Sequence, residues 1–255
     1  MKVVTWNVNS LKVRMPRVLE LLELHSPDVV LLQETKSPPD TFPEVELEAA
    51  GYRVAHHSAG AWAGVAILAR DELDDVAVGL PGEPAVDEAR WIEATVAGMR
   101  VVSVYVPNGR APDTPTYDDK LRFLEAMATR IGELSGEPLI VAGDFNVCPT
   151  DLDVYDPAAF VGSTHVTPAE RERFRALLAA GTVDAYRELH PDEPGFTWWD
   201  YRQGHFHRKM GLRIDAHLVS APLAGRIREC GIDRNFRKGT KPSDHAPLLL
   251  ELSAR

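Results

Sequence analysis

The chain is built of short apolar runs that end on acids or amides. Lys2–Trp6 runs into Asn7-Val8-Asn9-Ser10, Asp28–Gln33 runs into Glu34, and Pro138–Ala142 runs into Gly143-Asp144-Phe145-Asn146. Short apolar runs bounded by Gly, Pro, Asn or Asp read as buried strands. Between the first two, Leu11, Met15, Val18 and Leu22 recur at helical spacing. Pro16 fits the first turn of that helix, where its missing N–H costs little, and Pro27 stops it. Strand, helix and strand within about 30 residues make a βαβ unit, so the chain opens on an α/β pattern.

The rest of the chain adds strands faster than helices. Tyr52–His56, Ala63–Ala69, Val76–Val78, Trp91–Val96 and Arg100–Val106 read as strands, the last two joined by a tight Ala97-Gly98-Met99 hairpin. A short acidic helix is expected over Pro43–Ala50. A longer one is expected over Asp118–Ile131, with Leu121, Leu124, Ala128 and Ile131 on one stripe. Pro168–Ala180 is a further helix with Gly181 as its C-cap glycine, after a Pro/Asp-rich loop. Phe196–Tyr201, Ile214–Val219, Ile227–Ile232 and Ala246–Leu252 complete the strands. No linker or change of composition divides the chain. The pattern predicts a single domain of two sheets packed face to face with helices outside, with loose two-halved symmetry and no short repeat.

Composition narrows the class. With 255 residues and 44% hydrophobic content, the chain can bury a large core. Two distant cysteines, Cys148 and Cys230, form no zinc or disulfide pattern and fit a reducing cytoplasm. Met1–Trp6 lacks the apolar run of a secretory leader, and no stretch is long enough to span a membrane. The net charge of −10 argues against broad nucleic-acid binding, but ten Lys/Arg face only four acids between Asp200 and Lys241. A basic patch on an acidic body can still attract phosphates at close range; scattered solvated charges are the plain alternative.

The strand ends are the candidate site: Asn7, Glu34, Tyr105, Asn108, Asp144, Asn146, Asp215, Asp244 and His245. Each has a bland reading. Asn and Asp are ordinary turn residues, a lone His is more often a satisfied core residue, and Tyr105 and Trp198 are more often core aromatics. No Ser or Cys stands beside a base as a nucleophile would. Carboxylate and carboxamide oxygens without sulfur suit a hard cation, Mg²⁺ or Mn²⁺, that keeps water and binds substrate phosphate. Asp215, set among Leu212, Ile214, Leu218 and Val219, needs a partner. His245 can supply it, since an Asp–His pair fixes the tautomer and stabilises imidazolium.

Six motifs then occur in a telling order: Trp6-Asn7-Val8-Asn9-Ser10-Leu11, Leu32-Gln33-Glu34-Thr35-Lys36, Tyr105-Val106-Pro107-Asn108-Gly109, Gly143-Asp144-Phe145-Asn146-Val147, Gly211-Leu212-Arg213-Ile214-Asp215 and Lys241-Pro242-Ser243-Asp244-His245-Ala246-Pro247. From Met1 to Leu252 the chain resembles the exonuclease III family of abasic-site endonucleases, within the endonuclease/exonuclease/phosphatase superfamily. The resemblance implies a four-layer α-β-β-α sandwich of two mixed sheets. It implies a monomeric Mg²⁺-dependent hydrolase cutting duplex DNA 5′ of abasic sites, with 3′→5′ exonuclease action and removal of 3′ blocking groups.

Residue by residue, it implies Glu34 as the main metal ligand with Asn7 in support, and Asp244 is placed with them. Asp144 would activate the attacking water and Asn146 orient it. Tyr105 and His245 would contact the scissile phosphate, and Asp215 would hold His245. Asn108 and Trp198 would lie near the DNA and its flipped-out sugar. Leu212 stands where some relatives carry Trp, which implies an altered wall to the abasic pocket. Arg208 and Lys209 fall in a polar loop suited to phosphate contacts that position rather than specify. The alternatives are a superfamily phosphatase or phosphodiesterase on a non-DNA substrate, and a non-catalytic DNA-binding member.

Overall fold

A computed structural model of the chain describes residues 1–60 and 62–254. Its elements are β1 (Lys2–Asn7), α1 (Leu11–His25), β2 (Val29–Gln33), α2 (Glu44–Ala49), β3 (Arg53–His57), β4 (Val65–Ala69), β5 (Asp74–Val78), β6 (Trp91–Val96), β7 (Met99–Tyr105), α3 (Pro115–Leu134), β8 (Leu139–Asp144), α4 (Pro168–Ala179), β9 (Thr182–Asp184), α5 (Ala185–Leu189), β10 (Asp215–Ser220), α6 (Ala221–Ala224), β11 (Ile227–Ile232) and β12 (Leu248–Leu252). They form two six-stranded sheets, ordered β11-β12-β1-β2-β4-β3 and β5-β6-β7-β8-β10-β9. Each sheet carries one parallel pair at its centre, β1/β2 or β7/β8, with antiparallel neighbours on both sides. The two packed sheets are those the apolar runs predict, and their mixed strand directions are those the family resemblance implies.

The period of two along each strand divides the core into layers. Val3, Val29, Leu31, Ile67, Ile140, Ala142 and Leu250 point between the sheets. Val4, Trp6, Val30 and Leu32 point the other way, against Val18, Leu21 and Leu22 of α1. On the far side, Val102, Val104 and Val141 pack on Phe123, Leu124 and Met127 of α3 and on Phe174 and Leu177 of α4. Sheets buried on both faces explain why these strands read as continuous apolar runs rather than alternations.

Several expectations need correction. Phe196–Tyr201 is no strand. The Thr197 and Trp198 amides both donate to Leu212 O and the Trp199 amide donates to Asp244 O, so two loops clasp the segment and no ladder continues. Pro16 lies inside α1 rather than in its first turn, because the helix already starts at Leu11. The buried face of α3 is Tyr117, Lys120, Phe123, Leu124, Met127 and Ile131, so of the expected stripe Leu124 and Ile131 are buried, Ala128 packs at the margin, and the face is wider and rotated towards Phe123 and Met127. A lysine inside the apolar face hid the true register. β9 and α5 escape the sequence pattern because three or five residues carry too little periodicity.

The segment around β9 is held by charge as well as by apolar contact. Arg213, 1% exposed, donates from Nε to Asp153 Oδ1 at 2.6 Å and from Nη1 to Asp184 Oδ2 at 2.8 Å. Arg187 Nη2 reaches the same Asp153 oxygen at 2.6 Å. Burial alone would raise the Asp153 carboxyl, but the Arg213 charge, the hydrogen bonds from Arg213 and Thr150 and the Arg187 charge together hold it below its ordinary 3.8. A depressed carboxyl contributes stability above its unfolded value and loses it as pH falls through the folded value. Asp153→Asn is expected to cost about 3–5 kcal/mol in urea unfolding at neutral pH, because it removes the carboxylate that Arg213 and Arg187 share and leaves the buried guanidinium with Asp184 alone. The variant should also lose part of the wild type's acid sensitivity below its ordinary titration range; equal pH profiles would show that the pair does not act on stability.

Candidate active site

Strand register brings the site together. β1 and β2 run parallel with Asn7 opposite Gln33, so Asn7 and Glu34 emerge side by side. In the other sheet Tyr105 is opposite Asp144, and Asp144 is opposite Asp215. Phenol and two carboxylates therefore stand in a row across three neighbouring strands. Gly143 permits the close approach of β7 and β8, since a Cβ there would lie 1.9 Å from Val104 O. Glu34 and Asn146 both have left-handed backbones, with φ of 50° and 51°. Such conformations cost about 1–3 kcal/mol and persist where surrounding structure over-determines them. At Glu34 the bracing comes from Ser10 N, which donates to Glu34 O at 2.7 Å.

One amide joins the two sheets. Asn7 Nδ2 donates to Glu34 Oε1 at 2.8 Å and to Asp144 Oδ2 at 2.9 Å. His245 Nε2 lies 3.6 Å from the same Asp144 oxygen, and its Nδ1 is 2.9 Å from Asp215 Oδ2. The loop before β12 is tied down as well: Ser243 Oγ donates to Asn7 O at 2.7 Å, and Trp6 Nε1 donates to His245 O at 3.0 Å. Asn146 N–H donates to Asp144 Oδ1 at 2.9 Å, and Asn108 Nδ2 donates to Asn146 Oδ1 at 3.2 Å.

Burial and crowding set the charges. Burial, with the Asp215 and Glu34 charges, pushes the Asp144 carboxyl up from 3.8 to about 7 against the pull of His245. Burial alone would lower the His245 imidazole, but Asp215 and Asp144 raise it from 6.5 to about 10. Burial, then the charges of Glu34 and Asp144, raise the Tyr105 phenol, which stays a hydrogen-bond donor. The site thus holds one poised carboxyl, one cationic imidazolium and one neutral phenol.

The residues present suit a hard cation. Glu34 and Asp144 offer carboxylate oxygens within 4.8 Å of each other and of the His245 ring, whose imidazolium has no lone pair for a metal. Asp215 Oδ1 is buried without a hydrogen-bond partner, and the raised Asp144 carboxyl marks a shortage of positive charge. Two oxygen donors with no sulfur match Mg²⁺ or Mn²⁺.

The other expected residues fall in three places. Asp244 braces two loops, its Oδ1 accepting from Asn9 Nδ2 at 3.1 Å and its Oδ2 from Trp198 Nε1 at 3.0 Å, and each oxygen keeps a second lone pair. Leu212 is 1% exposed, packed with Cys148, Val154 and Ile214, and so it is no DNA-contact surface as it stands. Trp198, packed beside them, is half-buried. Asn108, Arg208 and Lys209 are exposed.

Two neighbours went unassigned at the sequence level. Lys36 Nζ pairs with Glu34 Oε2 at 2.7 Å and donates to Asn9 Oδ1 at 2.7 Å. Its place two residues after Glu34 was the available signal. His165 Nδ1 is 2.6 Å from Asn146 O, and burial, then the Lys120 charge, lowers it from 6.5 to about 4, so it is neutral. Nothing in its surrounding sequence marks it.

A domain with paired α/β halves and an acidic, imidazole-bearing rim across the strand ends defines a fold family. A profile of the Endonuclease/Exonuclease/phosphatase family matches residues 4–245. The chain belongs to that family. It is 33% identical over 270 residues to exodeoxyribonuclease III of Haemophilus influenzae, covering 98% of this chain and 99% of the relative. Among solved structures it is similar to the 3′ phosphatase NExo from Neisseria bound to product DNA hairpin, with 40% identity, a TM-score of 0.97 and full coverage of both chains. An AP endonuclease from Archaeoglobus fulgidus has 36% identity and a TM-score of 0.96, again over both whole chains.

In chelator-treated protein the His245 ring should remain protonated through neutral pH, read from its imidazole NMR shifts. Asp215→Asn should lower its proton affinity by about tenfold or more, since each tenfold is one pKa step. Wild-type titration near the ordinary 6.5 would show that the Asp215–His245 pair does not form in solution.

Proposed function

We propose that this chain is a Mg²⁺-dependent DNA-repair nuclease of the exonuclease III type. In this reading it hydrolyses phosphodiester bonds of duplex DNA 5′ of abasic sites and also trims and cleans 3′ ends. The carrying observation is the rim where Asn7 bridges Glu34 and Asp144 while His245 faces Asp144 and leans on Asp215. The likeness to a 3′ phosphatase bound to product DNA and to an AP endonuclease, at 40% and 36% identity, supports the substrate class. Action in a reducing compartment accords with two buried free thiols, Cys148 and Cys230.

Glu34, supported by Asn7, would hold the cation, which when bound offsets negative charge on the phosphate. The chain's own groups do the rest. Asp144, poised at about 7, takes the proton of the attacking water, as a base matched to neutral pH should. Asn146, whose amide donates to Asp144 at 2.9 Å, orients that water. The His245 imidazolium and the Tyr105 hydroxyl stabilise the charge that develops on the phosphate oxygens. Asp215 keeps His245 charged and correctly turned. Asn108 and Trp198 contact the DNA beside the scissile bond.

Incubation with a duplex bearing one abasic analogue should yield a cut on its 5′ side with Mg²⁺ or Mn²⁺ and none in EDTA. Full activity in EDTA would remove the cation from the reading, and preferred turnover of a phosphoinositide would favour a phosphatase instead. His245→Asn should slow cleavage by about 10²–10⁴-fold with the fold intact. Replacing Arg208 and Lys209 together by Ala should lower the salt slope of duplex binding by about 1–2; an unchanged slope would clear that loop of phosphate contact.

A further inference from the structure

Lys120 stands in the second turn of α3 with no exposed surface. Its Nζ donates to Asn146 O at 2.6 Å, to Asn108 O at 3.2 Å, to Thr164 Oγ1 at 3.2 Å and to the Glu170 carboxylate. Glu170, in the first turn of α4, is equally buried. Its Oε1 also accepts from Thr164 Oγ1 at 2.8 Å and His165 N at 2.9 Å, and its Oε2 accepts from Thr167 N at 3.0 Å. One ion pair therefore ties two helices to the loops that follow β7 and β8.

The surroundings are shaped for this lysine. Gly109 has φ +81°, and a Cβ there would come within 2.8 Å of Lys120 Cδ. The β7 loop is bare at that point, which lets the lysine stem through. Stability alone is a poor account of the arrangement, since a buried ion pair is often no better than an apolar pair of the same size. What the ammonium adds is direction. It grips the carbonyls of two asparagines whose side chains meet, Asn108 Nδ2 to Asn146 Oδ1 at 3.2 Å. Asn146 holds a left-handed backbone with φ 51°, and its own amide N–H aims at Asp144. An uncommon conformation of this kind needs an external hold.

We propose that Lys120, with Glu170 as its counter-charge, is a positioning residue that sets Asn146 and Asn108 against the phosphodiester and keeps Asp144 aligned. It touches no substrate. Only the kinetic arm of its test rests on the nuclease reading.

The test compares Lys120→Met with Lys120→Met/Glu170→Gln, in which no charge is left unpaired. The double variant should regain most of the thermal stability that the single variant loses. Its kcat should stay about 100-fold below wild type, as misplacement near 1 Å can cause, while KM and duplex affinity move by less than about threefold. A crystal structure of the double variant should show the Asn146 carbonyl displaced and the Asn108–Asn146 hydrogen bond broken. Recovery of kcat together with stability, or an intact Asn108–Asn146 hydrogen bond, would reduce Lys120 to a structural charge. If wild type cut no DNA, the nuclease reading would fall and the crystal structure would still decide the positioning role. If neither Lys120 variant folds, Lys120→Gln/Glu170→Gln, which likewise leaves no charge unpaired, carries the same readouts, and the same results support or overturn the proposal.

Discussion

One carboxamide holds the two halves of the molecule to a common purpose. Asn7 Nδ2 reaches Glu34 in its own sheet and Asp144 in the other, at 2.8 and 2.9 Å. Two carboxylates brought that close repel, and an amide between them accepts neither charge but satisfies both. The contact exists only if the central parallel pairs of the two sheets end at the same rim. Below it the mostly apolar inter-sheet layer carries a polar seam in which Gln33 Nε2 donates to Thr5 Oγ1 at 3.1 Å and to Ser103 Oγ at 3.0 Å. Apolar surface can slide without much loss, whereas a buried hydrogen-bonded seam has one register. The seam and the Asn7 bridge together fix how the halves meet.

Charge then follows from position. The imidazole of His245 is cationic because Asp215 and Asp144 flank it, and Asp144 is poised because burial and its acidic neighbours oppose ionisation. Neither behaviour belongs to the residue type. Both come from a site that concentrates negative charge where water is scarce, which is also what a bound cation and a phosphodiester would require in opposite ways.

The order of strands and helices was legible because each central strand is a continuous apolar run with its own stop signal. The failures have a shared cause. Phe196–Tyr201 has strand-like composition, but its amides find Leu212 and Asp244 rather than a neighbouring strand. Asp244 adjoins His245, but its oxygens also accept from Asn9 and Trp198, which the chain order does not foretell. Leu212 stands where some relatives carry Trp, which implied an altered pocket wall, yet it is packed inside. Adjacency along the chain says nothing of which way a side chain turns in a loop, since no period of two or 3.6 operates there.

The sequence by itself determined the α/β class, the two-sheet arrangement and the identity of the residues at the strand ends, because apolar periodicity and turn residues are local properties that act before anything distant is in place. Tertiary structure alone decided that Asn7, Glu34, Asp144 and His245 converge, that Lys36 pairs with Glu34, and that Lys120 and Glu170 lie buried beneath the asparagines. Except for Lys36 and Glu34, which are neighbours along the chain but meet through a loop, those contacts join residues far apart in sequence. Their energies depend on burial and on distances of a few ångströms, quantities that come into being only when the two sheets close on each other.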